Sequence, residues 1–138
     1  MDKTTLVVHS GDLDKFMSAL IIGNGFLSMG GEVTLYFTFW GLQRLIKGKL
    51  SKAPLSKMNF LRLGAWMMSQ KMKKAGVAAP ERLFTDFRAL GGRVIACEMT
   101  MEVMGISKEQ LDLTLIDEFG AVGTYVYETL QSQRTLFI

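Results

Sequence analysis

The chain holds 138 residues, 49% of them hydrophobic and 21% charged, with a formal net charge of +3. Such a composition excludes an intrinsically disordered protein, and the length suits one compact domain over residues 1–138 with a sizeable core. The single cysteine excludes an intramolecular disulfide and any multi-cysteine zinc site, and it suits a reducing cytoplasm.

The opening "MDK" carries an acid at position 2 and does not fit a secretory signal. "TTLVVH", 4–9, reads as a β-branched strand. Gly11 turns the chain, and Asp12 caps a helix over 13–29 that Gly30 and Gly31 stop. The uncharged run 16–31 falls short of the roughly 20 apolar residues of a membrane span, so it reads as a core helix. "EVTLYFTF", 32–39, is nearly continuous in apolar residues, as suits a parallel strand covered on both faces. After Trp40 and Gly41 the pattern turns helical through about Lys47, and "GKLSKAPLSK" is a basic connector. A longer helix is expected over 57–74. Its Met58, Leu61, Ala65, Met68 and Met72 share one face, widened by Phe60, Leu63 and Met67.

Pro80 fits the first turn of a helix over 81–90, stopped by the glycines at 91–92. Arg93–Cys97 is the third strand, and 99–104 is a short helix ended by Gly105. "SKEQ", 107–110, matches a capping box between Ser107 and Gln110. "LTLI", 113–116, is the expected fourth strand, 121–131 a closing helix, and the terminal "TLFI" an edge strand. Strands alternating with helices predict an α/β fold of three layers, α/β/α, around a mostly parallel sheet of four or five strands.

In that architecture ligands bind outside the carboxyl ends of the strands. Those ends are His9-Ser10-Gly11, Thr38-Phe39-Trp40, Cys97-Glu98-Met99 and residues 117–120. Cys97 stands at one of them, just before a helix whose N-terminus favours thiolate, the reactive form. A lone cysteine is equally a small buried hydrophobe, and the residues themselves leave both readings open. Glu98 opposes the thiolate if its charge faces the sulfur. Ser10, Gly11 and Asp12 are candidate pocket residues that double as turn and cap, and Thr38 and Trp40 form a candidate wall. With Glu98 and Met99 they complete the candidate binding set. His9 is a possible acid or base near neutral pH, though a strand histidine more often simply packs. There is no metal-ligand spacing, no G-x-G-x-x-G and no P-loop, so neither a metal nor a cofactor is expected.

Charge is unevenly spread. Between Val33 and Pro80 there are nine bases and no acid, whereas from Val94 to the end seven acids face Lys108 and Arg134. The methionine stripe of the 57–74 segment has three readings: the protein's own core, a subunit or partner groove, and peripheral contact with an anionic membrane through Trp66 and the lysines. The basic middle lacks the interleaved stacking aromatics of single-strand binders, so no nucleic acid is expected.

"VVHSGDLDKFMSALIIGNGFLSMGGEVTLYFTFWGL" resembles the opening of the DsrE/DsrF-like sulfur-relay family, nearest its branch labelled peroxiredoxin-like. "GGRVIACEMTMEVMGISKEQL" resembles that family's cysteine segment, "FGAVGTYVYETL" its C-terminal helix, and "LSKMNFLRLGAWMMSQKMKKAGV" its middle. The resemblance spans essentially the whole chain. It implies the three-layer fold, a homo-oligomer, and a thiol, Cys97, that carries persulfide sulfur between donor and acceptor proteins. The single cysteine leaves no resolving thiol in the same chain, and no peroxidatic motif supports the peroxiredoxin-like label. The rivals to a sulfur relay are a non-catalytic binding or scaffold protein of the same fold and a small-molecule or anion binder at the strand-end crevice.

Overall fold

A computed structural model describes residues 2–60 and 63–138. Its sheet contains β1 (Lys3–Val8), β2 (Glu32–Phe37), β3 (Arg93–Cys97), β4 (Glu118–Gly120) and β5 (Arg134–Phe137) in the order β4-β3-β2-β1-β5. Every pairing is parallel. Five α-helices accompany the strands among the described residues: α1 (Leu13–Ser28), α2 (Leu63–Lys74), α3 (Pro80–Ala89), α4 (Glu98–Met104) and α5 (Val122–Leu130).

Side chains alternate across the strands, and the two faces bury different sets. Leu6, Val8, Leu35, Phe37, Val94 and Ala96 pack with Phe16 and Leu20 of α1, Phe84 and Phe87 of α3, and Met101 of α4. On the opposite face Val7, Tyr36, Ile95 and Cys97 form a smaller cluster against Tyr125 of α5. Burial on both faces is why β1 to β3 read as near-continuous apolar runs. The chain therefore leaves β3 toward the α1/α3/α4 face and leaves β4 toward the α5 face. That reversal opens the crevice of the fold between the carboxyl ends of β3 and β4, where Cys97 pairs with Gly120.

Three expectations need correction. Residues 113–116 are not a strand: Leu113–Leu115 form a 3-10 turn, with the Asp112 carboxylate accepting the Thr114 N–H at 3.1 Å. The fourth strand lies just beyond, at Glu118–Gly120, because pairing with Ile95 to Cys97, rather than apolarity, defines it. The helix expected over 57–74 is described from Leu63. Met58 takes a left-handed backbone (φ 66°), incompatible with a helix there, and positions 61 and 62 lie outside the described residues. The segment after Thr38 is a 3-10 helix, Phe39–Leu45. The expected Ser107–Gln110 capping box is present. Among the described residues no helix is long and apolar enough to cross a membrane.

The 3-10 helix is pressed onto the end of β1. The Gly41 N–H donates to the His9 carbonyl at 2.9 Å, and a Cβ on Gly41 would stand 2.0 Å from the Val8 carbonyl oxygen. Gly41→Ala must therefore push backbone against backbone. Its expected cost is about 3 kcal/mol, the upper range for overpacking, read as a lower urea midpoint at unchanged slope.

Candidate functional site

Cys97 closes β3 and is the residue that precedes α4. It is a free thiol, 1% exposed. Strand alternation aims Arg93, Ile95 and Cys97 at the α5 face, and the same alternation on β2 aims Thr34 and Tyr36 there. Thr100, in the first turn of α4, comes back over the strand end. Its Oγ1 lies 3.0 Å from Thr38 Oγ1 and accepts the Phe39 N–H at 2.9 Å.

Burial alone would push the Cys97 thiol up. Hydrogen bonding from the Thr100 hydroxyl, the Tyr36 hydroxyl, the Thr100 backbone N–H and the Thr38 hydroxyl outweighs it, and the thiol is held below its ordinary value. Tyr36 responds in the opposite sense: burial first, then its contact with Cys97, pushes its phenol well up, so it stays a protonated donor. The Tyr36 ring packs against Tyr125 with centroids 5.0 Å apart. The ensemble is a small, mostly enclosed set of O–H and N–H donors converging on one sulfur. It can stabilise an anionic sulfur while keeping bulk water out.

The sequence-derived candidates fall into three groups. Thr38 joins Cys97 through Thr100. Ser10, Gly11, Asp12 and Trp40 line a separate cavity of about 170 Å³ with Gln43 and Pro54. There Ser10 Oγ accepts the Asp12 N–H at 3.1 Å, so Ser10 acts on the turn, and Asp12 makes no side-chain cap to α1. Glu98 lines a third space of about 240 Å³ with Met101, Glu102, Ile106 and Lys108. Glu98 and Met99 are both exposed. His9 stacks between Phe39 and Phe137, with centroids 5.2 and 5.3 Å away, and β2 separates its strand from that of Cys97.

Tyr36, Thr100 and Tyr125 escaped the sequence reading. Two of them carried a signal: Tyr36 stands two residues before Thr38 on the same strand, and Thr100 stands three after Cys97 in a first helical turn. Tyr125 carried none, since only the return of α5 over the sheet brings it here. Among the described residues no group of three or more His, Cys, Asp or Glu side chains is arranged to hold a metal.

The sequence model of the DsrE/DsrF/DrsH-like family matches residues 1–53 and 43–137. The uncharacterized protein YrkE of Bacillus subtilis (strain 168) is 35% identical over 156 aligned positions, covering 99% of this chain and 96% of that protein. The sulfur carrier protein DsrE2 of Allochromatium vinosum is 29% identical over 129 positions, covering 78% of this chain and 81% of that one. Two solved structures align over the full length of both chains. One is the ychN protein from E. coli, with a TM-score of 0.61 at 16% identity. The other is MTH1491, a protein of unknown function from Methanobacterium thermoautotrophicum, with a TM-score of 0.62 at 11% identity. At such identities the two structures show a shared fold alone.

Proposed function

The chain belongs to the DsrE/DsrF/DrsH-like family, and from that premise we propose that it carries sulfur as a persulfide on Cys97. The observation that carries this reading is the ring of donors on the thiol at the β3–β4 crevice. A structural cysteine packs as a small hydrophobe, whereas a thiolate or persulfide anion is stabilised by such donors. The similarity to a sulfur carrier supports the same reading.

The chemistry is two displacements with no net oxidation. The Cys97 thiolate attacks the outer sulfur of a donor persulfide. A new S–S bond forms, the donor's own S–S bond breaks, and the donor leaves as thiolate. An acceptor thiolate then attacks the outer sulfur now on Cys97, and Cys97 returns as thiolate. Thr100, Thr38 and Tyr36 donate to the anionic sulfur in the resting and loaded states. Because Cys97 is buried, a donor must displace part of its cover, and Tyr125 of α5 is the aromatic side chain packed against its cluster.

Donor and acceptor are proteins, and the single thiol suits exchange in the cytoplasm between partners rather than between two cysteines of one chain. Single-domain organisation over 1–138 and assembly of several copies belong to the same proposal. The exposed stripe Val122, Val126 and Leu130, four residues apart along α5, supports the assembly.

The test is intact-mass analysis of wild type and Cys97→Ser after incubation with glutathione persulfide. A reducible gain of one sulfur atom is expected on wild type and absent from Cys97→Ser. No gain, with iodoacetamide still labelling Cys97, would overturn the carrier role. A thiol that neither reagent reaches would overturn it as well.

A further inference from the structure

The sulfur chemistry leaves α2 without a role. Its inner face, Ala65, Met68 and Met72, packs on a cluster of Leu13 and Met17 of α1 and Leu55 of the connector, which Leu83 of α3 also joins, so α2 forms an outer tier over α1. The need for a core is met on that side. Its other face nevertheless carries Leu63 at 55%, Trp66 at 60% and Met67 at 39% exposure, and the preceding loop adds Met58 and Phe60 at 58% and 80%.

This exposure is built in. Met58 adopts a left-handed backbone, unusual for a side chain of its size. The Met58 carbonyl is seated against Gly64, where an added Cβ would stand 1.6 Å from it. The loop is thus tied to the start of α2 with its apolar side chains outward. Farther along the same helix, Lys71, Lys73 and Lys74 are exposed, and Lys52 and Lys57 are exposed on the connector packed beside it. Among the described residues none of these five lysines forms an ion pair.

We propose that this face docks on an anionic lipid surface. The apolar and aromatic side chains of 58–67 enter the headgroup boundary, and the lysines lie along the phosphates. Charge favours this occupant over the others. A second copy seated face to face would oppose the same lysines, since a two-fold contact brings one patch against itself. Protein interfaces also exclude lysine from their apolar centres, whereas here lysines flank Phe60 and Trp66 on both sides. A bilayer surface accepts both at once, with the lysine stems lying along apolar surface and their ammonium heads in the phosphate layer.

The test is co-sedimentation of the full chain with vesicles of phosphatidylcholine and phosphatidylglycerol in equal parts, and with pure phosphatidylcholine. Binding to the anionic vesicles alone is expected, released by salt. Trp66→Ser and the pair Lys73→Glu/Lys74→Glu should each weaken it by about tenfold. Both changes lie on exposed positions, and circular dichroism checks that they fold. Equal binding to both vesicles, or none, would overturn the proposal. So would binding indifferent to Trp66→Ser, which would leave only a basic surface for any acidic partner. Self-association in sedimentation velocity that Trp66→Ser abolishes, without vesicle binding, would assign the face to a second copy instead.

Discussion

Replacing Glu128 by alanine is expected to cost about 3 kcal/mol of folding stability, as breaking a buried ion pair does. Glu128 of α5 is 3% exposed, among Thr34, Lys3 and Arg93. The Lys3 ammonium lies 2.7 Å from its Oε2 and the Arg93 guanidinium 2.5 Å from its Oε1, while the Thr34 hydroxyl donates at 3.3 Å. Alanine would leave two cations without their central partner, and Arg93 would keep only Glu118 as an ion-pair partner. The interaction also fixes a pH window. Burial would push the Glu128 carboxyl up, but its hydrogen bonds to Lys3 and Arg93 and their charges outweigh burial and hold it below the ordinary 4.5. Because the folded value lies below the unfolded one, the contribution is complete above the unfolded value and is lost as pH falls through the folded one. Urea midpoints of wild type should therefore drop below about pH 4, and those of Glu128→Ala should drop less. Identical acid profiles for the two proteins would refute this role.

That network also marks where reading the sequence stops. Lys3, Arg93 and Glu128 lie on elements far apart in the chain, and only the topology brings them together. β1, β2, β3 and α1 were legible because burial on both sheet faces and a helical period write themselves into local pattern. Their ends differ from expectation by one or two residues, as helix and strand ends do. β4 was not legible. Its three residues, Glu118–Gly120, form an edge strand by pairing with β3, while the more apolar Leu113–Leu115 turns away as a 3-10 helix. The start of α2 was misplaced for a related reason. The spacing of Met58, Ala65, Met68 and Met72 is helical, yet Met58 stands on a left-handed turn that no periodicity reports. At the site, the strand-end rule found Cys97 and Thr38 but also gathered Ser10, Asp12 and Glu98, which line other cavities. Position at a strand end is a property of the backbone. Which side chains converge depends on the face each one takes.

The sharpest functional expectation concerns Thr100, which is fully buried. Its Oγ1 accepts the Phe39 N–H, which leaves the hydroxyl's own hydrogen free for Cys97. Thr100→Val keeps the shape and removes that donor. Losing one hydrogen bond to an anion, about 1.5 kcal/mol, corresponds to roughly tenfold less thiolate at a fixed pH below the thiol's titration. Since the thiolate is the nucleophile, the rate of Cys97 alkylation by iodoacetamide at neutral pH should fall by about the same factor. The full pH profile separates activation from access. The profile of Thr100→Val should move to higher pH, because the wild-type thiol is held below its ordinary value and the variant loses a principal cause. At high pH, where both proteins are fully thiolate, the two limiting rates should coincide. Thr100→Ser, which restores the hydroxyl, should return the profile toward wild type. A fall by one factor at every pH would mean that Thr100 governs entry to the buried sulfur rather than its ionisation. The donor ring would then be packing around a buried thiol.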